Sequence, residues 1–118
     1  MFGAEASSRF GHALSSPGDL DSDGTDDLVI GALFASPRGA TYQGSTWVLL
    51  GPDIGRAPGI ADIGWQSWGT TAGDLYGDAV SFGRGDLDGD GKADFAVGAQ
   101  GVDVGGSSAG RVYLWRGR

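Results

Sequence analysis

Two apolar runs set the pattern of this chain. Leu28-Val-Ile-Gly-Ala32 and Phe95-Ala-Val-Gly-Ala99 are short, carry β-branched residues and are closed by glycine, so each reads as a buried strand. Ahead of them stand Phe10-Gly-His-Ala-Leu14 and Tyr76-Gly-Asp-Ala-Val80, and behind them the aromatic-rich runs Gly44-Ser-Thr-Trp-Val-Leu-Leu-Gly51 and Gly110-Arg-Val-Tyr-Leu-Trp-Arg-Gly117. A weaker strand is expected around Ile60 to Gly69. The pattern predicts an all-β fold of short strands joined by tight turns.

The runs are also copies of one another. The aromatic-glycine segments match at an offset of 66 residues, as do the aromatic-rich strands, and Phe2-Gly3 aligns with Trp68-Gly69 at the same offset. Such self-similarity is the mark of a repeat architecture, and four short antiparallel strands per repeat is the count for a propeller blade. The reading is a single domain over residues 1–118, with repeat one spanning about 10–69, repeat two about 76–118, and 1–9 a strand that completes a blade.

Between the first two strands of each repeat lies an acidic loop, Asp19-Leu-Asp21-Ser-Asp23-Gly24-Thr25-Asp26-Asp27 and Asp86-Leu-Asp88-Gly-Asp90-Gly91-Lys92-Ala-Asp94. Carboxylates at loop positions 1, 3 and 5 converge on one hard cation only if the backbone turns sharply after them, the task of Gly24 and Gly91 at position 6. The carbonyls of Thr25 and Lys92 at position 7 and the carboxylates of Asp27 and Asp94 at position 9 complete an oxygen cage suited to Ca²⁺, giving two sites per chain. An EF-hand shares the first half of this pattern but requires Glu at position 12 and flanking helices. Here position 12 is Ile30 or Val97, and the flanks are strands.

Phe10-Gly11 with Gly31-Ala32, and Tyr76-Gly77 with Gly98-Ala99, each enclose D-x-D-x-D-G-x-x-D, and this combination resembles the FG-GAP repeats that build integrin α-subunit β-propellers and many bacterial surface proteins. The resemblance implies calcium ligation by Asp19, Asp21, Asp23, Thr25 and Asp27, and by Asp86, Asp88, Asp90, Lys92 and Asp94, with a structural role for the metal. It implies a structural or protein-interaction role of adhesion type, a cell-surface or extracellular location, and no catalysis. Integrin-like propellers have seven blades, whereas this chain holds two. Two blades cannot close a ring, so the expectation is two four-stranded blades completed either by head-to-tail assembly of three or four copies or by the remaining blades of a parent protein.

Composition narrows the alternatives. A net charge of -7 argues against nucleic acid and anionic membrane surfaces as general electrostatic partners. Eight of the fifteen acidic side chains are the proposed carboxylate ligands, and two divalent ions would bring the charge from -7 to -3. There is no cysteine for disulfides, no asparagine for N-linked glycosylation, and no long apolar stretch for membrane insertion.

Several residues invite other readings. Arg84-Gly85-Asp86 spells an adhesion tripeptide, but Asp86 is also the first loop ligand. His12 lies near Ser15 and Ser16, yet there is no G-x-S-x-G elbow, so it reads as a solvent-facing turn residue rather than a hydrolase base. Trp47 and Trp115 are expected to pack between blades; Trp65 and Trp68, on the weaker strand, could stack on a sugar and support a lectin-like alternative. Asp26, Asp74 and Asp103 read as solvated carboxylates.

Overall fold

The computed structural model describes residues 1–56, 59, 65–81 and 85–118. Seven strands form two antiparallel sheets: β1 (Ala13–Gly18), β2 (Asp27–Ala32), β3 (Ser45–Leu49) and β4 (Trp65–Trp68) in the order β1-β2-β3-β4, then β5 (Tyr76–Val80), β6 (Phe95–Ala99) and β7 (Arg111–Trp115) in the order β5-β6-β7. Each sheet is a meander in which consecutive strands lie side by side. The first sheet has the expected four strands, and the second has three among the described residues. Of the weaker strand expected at 60–69, residues 65–68 form β4, and residues 60–64 lie outside the described residues.

The first strand begins differently in the two repeats. Tyr76 opens β5 and pairs with Ala99, whereas β1 starts only at Ala13, although Gly11 and Gly77 make the same turn with φ of 90° and 86°. Residues 1–9 run beside the first sheet: Phe2 bridges Gly59, Ser8 accepts the Phe34 amide, and the Glu5 carboxylate accepts the Ser36 amide at 2.7 Å.

The two sheets pack face to face. Val29 and Val48 of the first meet Tyr76, Val80, Phe95 and Val97 of the second, joined by Leu20 from the first loop. On the far side of the first sheet Ile30, Trp47 and Leu49 form a second cluster with Phe10 and Leu28. Alternation along each strand assigns these faces, since successive side chains point to opposite sides. Close approach is set by glycine: a Cβ on Gly31 would stand 2.2 Å from the Gly77 carbonyl oxygen. The glycine of one repeat's Gly-Ala pair therefore touches the glycine of the next repeat's aromatic-Gly pair.

A polar thread crosses the same interface. The Tyr76 hydroxyl lies 3.1 Å from Ser67 Oγ and accepts the Trp115 indole N–H at 2.8 Å, and Ser67 Oγ lies 2.8 Å from Thr46 Oγ1. Burial pushes the phenol of Tyr76 above its ordinary value. Tyrosine in place of phenylalanine thus adds a buried polar contact between blades, and buried hydroxyls need such partners.

Candidate metal centres

Both acidic loops fold alike, each joining the first two strands of its sheet. Asp19 Oδ1 accepts the Asp23 amide at 3.0 Å and Oδ2 the Gly24 amide at 2.8 Å; Asp86 does the same for Asp90 at 3.0 Å and Gly91 at 2.7 Å. One carboxylate at position 1 therefore ties down the turn that follows it. Gly24 and Gly91 have φ values of 93° and 87°, the left-handed conformation that the turn demands. Position 4 is left-handed too, at Ser22 and Gly89 with φ of 65° and 82°, a requirement that the sequence reading missed although Gly89 signals it.

Position 9 is the buried end of each site. Asp27 accepts the Leu20 amide at 2.7 Å and the Gly51 amide at 2.8 Å; Asp94 accepts those of Leu87 at 2.7 Å and Gly117 at 3.0 Å. Both carboxyls are buried. The amides of Gly51 and Gly117 arrive from the exit of the third strand, so each acidic loop is fastened across its own sheet.

Asp19, Asp21 and Asp27 each bring a carboxylate oxygen within 4.8 Å of the others, and Asp86, Asp88 and Asp94 form an equivalent group. Asp23 and Asp90 are not part of these groups. Their Oδ1 atoms accept the amides of Thr25 at 2.8 Å and Lys92 at 2.9 Å, closing the turn. The donor set is oxygen only, with neither histidine nor cysteine in either group, which matches a hard cation such as Ca²⁺ rather than zinc.

The electrostatics of the two groups differ. Burial raises the Asp27 carboxyl above the ordinary value against the pull of its two backbone donors, and Asp21 and Asp23 raise it further. Asp94 is lowered, chiefly by the Gly117 amide, with Arg116 contributing. Arg116 Nε stands 2.9 Å from Asp88 Oδ2, whereas the first repeat has Leu50 at the matching position.

Other sequence candidates fall as follows. His12 lies in an exposed turn, with Nε2 3.4 Å from Asp78 Oδ1, its counterpart in the second repeat. Arg84 of the Arg-Gly-Asp tripeptide lies outside the described residues. The expectation that Asp74 is solvated is overturned: it is buried and accepts hydrogen bonds from the amides and hydroxyls of Thr70 and Thr71. Burial pushes its carboxyl up, but these bonds outweigh that effect and hold it below the ordinary value. Asp103 is exposed and accepts the Ser108 amide at 2.7 Å. Trp115 stacks with Phe95 at a centroid distance of 6.3 Å, whereas Arg38 covers Trp68 at 4.6 Å.

Comparison with known proteins follows the repeat boundaries. Residues 10–49 and 76–115 each match the FG-GAP repeat profile, together more than half of the chain. Integrin alpha-5 of Xenopus laevis is 36% identical over all 118 residues, a region that makes up 10% of that protein. Integrin alpha pat-2 of Caenorhabditis briggsae is 39% identical over 92 residues, covering 77% of this chain and 7% of the relative. A phosphatidylinositol-glycan-specific phospholipase D of Rattus norvegicus is 33% identical over 114 residues, covering 92% of this chain and 13% of the relative. The chain thus spans about a tenth of the length of the curated relatives that it matches.

Proposed function

The chain belongs to the FG-GAP repeat family, and from that premise we propose that it is a calcium-bound propeller segment with a structural or protein-interaction role of adhesion type, working outside the cell or at its surface. The observation that carries this reading is the pair of matching carboxylate groups, Asp19, Asp21 and Asp27 and Asp86, Asp88 and Asp94, at the same bend of two adjacent blades. The full ligand set of each site would add Asp23 with the Thr25 carbonyl, and Asp90 with the Lys92 carbonyl. When bound, Ca²⁺ supplies the positive charge that lets these carboxylates sit together. The chain's own residues do the remaining work: Gly24 and Gly91 turn the backbone, and Asp27 and Asp94 anchor each loop to the strand exit.

The module has an open side. Thr46 and Val48 on β3 are each 1% exposed because the second sheet covers them, while Val112 and Leu114, their counterparts on β7, are 67% and 69% exposed. The second sheet therefore presents the face that the first has already buried. Another blade is the natural occupant of that surface, because the covering face of each blade is built from the same repeat positions. That blade comes from the rest of a longer protein or from a second copy assembling head to tail, three or four copies making a ring. Sedimentation at micromolar concentration with calcium separates the two: a trimer or tetramer supports the ring of copies, and a single-chain mass assigns the face to further blades of the parent.

The role proposed is non-catalytic. Repeats of this kind also occur in a protein named as a phospholipase D, but only 13% of that relative matches, so its activity does not come with the match. No helix among the described residues is long and apolar enough to cross a membrane.

A second reading is favoured by one observation. Trp65 is 38% exposed and lines a cavity of about 400 Å³ with Phe95 and Trp115, rimmed by Arg116, Arg118 and the Asp21 carboxylate. An aromatic wall with charged groups of both signs at its edge suits a sugar, which stacks on the rings and hydrogen-bonds at the rim. Glycan binding that is lost in Trp65→Ala would support this lectin-like use; binding retained in that variant would remove it.

A further inference from the structure

The exit of the second sheet is bonded to both acidic loops at once. After β7 the Gly117 amide donates to Asp94 Oδ1 of the second loop at 3.0 Å, and the next amide, of Arg118, donates to the Leu20 carbonyl of the first loop at 2.6 Å. The Ser22 hydroxyl of the first loop donates to the Arg118 carbonyl. Leu20 in turn gives its own amide to Asp27 Oδ2. A continuous path therefore runs from Asp27 through Leu20, Arg118 and Gly117 to Asp94, linking the buried carboxylates of the two sites.

The path is tightly seated. A Cβ on Gly117 would lie 2.2 Å from the Ala93 carbonyl oxygen and 3.1 Å from that of Leu20, so the strand exit is wedged between the backbones of the two loops. The first repeat makes only half of this arrangement. Its Gly51 amide donates to Asp27 Oδ1 in the same way, but the residue that follows is Pro52, which has no N–H to offer a neighbouring loop.

We propose that the two acidic loops are a coupled pair, in which closing one around a divalent cation orders Gly117 and Arg118 and so favours closure of the other, giving positively cooperative uptake of two ions. An empty loop must bring several carboxylates together and order its backbone, both unfavourable. Ordering the shared segment once serves both loops. Coupling of this kind is reciprocal: whatever the first site does to the affinity of the second, the second does to the first. The proposal rests on the calcium reading above, and extends it from two sites to one regulated unit.

The test is a calcium titration of the whole chain followed by hydrogen exchange at the amides of each loop, in the parent and in Asp21→Ala, Asp88→Ala and Ser22→Ala. In Asp21→Ala the second loop is expected to bind calcium about fivefold more weakly than in the parent, and in Asp88→Ala the first loop weakens by the same factor. Ser22→Ala keeps every proposed ligand and removes the second bond by which the first loop holds Arg118, so both loops still fill but with reduced cooperativity. Unchanged second-loop affinity in Asp21→Ala together with parent-like cooperativity in Ser22→Ala would overturn the coupling while leaving the calcium reading intact. Absence of calcium protection at either loop of the parent would overturn both.

Discussion

The guanidinium Nε of Arg116 stands 2.9 Å from Oδ2 of Asp88, so a fixed cation already leans on a carboxylate of the second acidic loop. The first loop has no counterpart, because Leu50 fills that position. Arg116→Leu should therefore tighten calcium at the second site, by about 1 kcal/mol or roughly fivefold in Kd after screening by solvent, and the gain should shrink at high salt. Calorimetric titration at low and high ionic strength checks both parts.

Loss of a carboxylate from either convergent group should be felt mainly when calcium is present. Asp21→Ala or Asp88→Ala should remove about 2.7 kcal/mol of linkage stabilisation at free calcium a hundredfold above Kd, roughly 10 °C in Tm. In chelator the same variants should differ much less from the parent. Equal losses in both conditions, read by thermal unfolding, would count against ligation.

The two faces of the repeat make opposite forecasts for equivalent residues. Val48 is buried between the sheets, so Val48→Glu should destabilise by about 3 kcal/mol or more. Leu114, its exposed counterpart, should accept Glu within about 0.5 kcal/mol in the isolated chain. If the open face carries another copy, Leu114→Glu should also abolish that association. Denaturant melts paired with sedimentation separate the two effects.

Asp74 gives the fold an acid-sensitive fastening. Its carboxyl is held below the ordinary value in the folded state, so its contribution is present above about pH 4 and is lost as the pH falls through the depressed pKa. Asp74→Asn should cost about 2 kcal/mol near neutral pH. Measured in chelator, the variant should also show a shallower loss of stability on acidification than the parent.

Much of the architecture was legible because the sequence states it twice. The match of Leu28–Ala32 to Phe95–Ala99 placed β2 and β6, and the match of Trp47 to Tyr113 placed their partner strands. The acidic loops were readable since carboxylate spacing and the position-six glycines repeat together. What escaped is tertiary. Asp74 looks solvated in a polar stretch, and only the fold reveals that Thr70 and Thr71 turn back to enclose it. The late start of β1 is tertiary too: Gly11 and Gly77 make the same turn, with φ of 90° and 86°, but Tyr76 also bridges Gly44, just ahead of β3 in the first sheet. Nothing in the spacing of Gly117 and Leu20 announces that they approach, because that contact exists only once two blades have docked.

Calcium held in both loops is the claim from which the rest follows, and equilibrium dialysis against radioactive calcium at millimolar free concentration measures it directly. The account predicts two ions per folded chain, falling to none in the Asp21→Ala, Asp88→Ala double variant. A folded parent chain that retains fewer than one ion, or a double variant that retains as many as the parent, would contradict it.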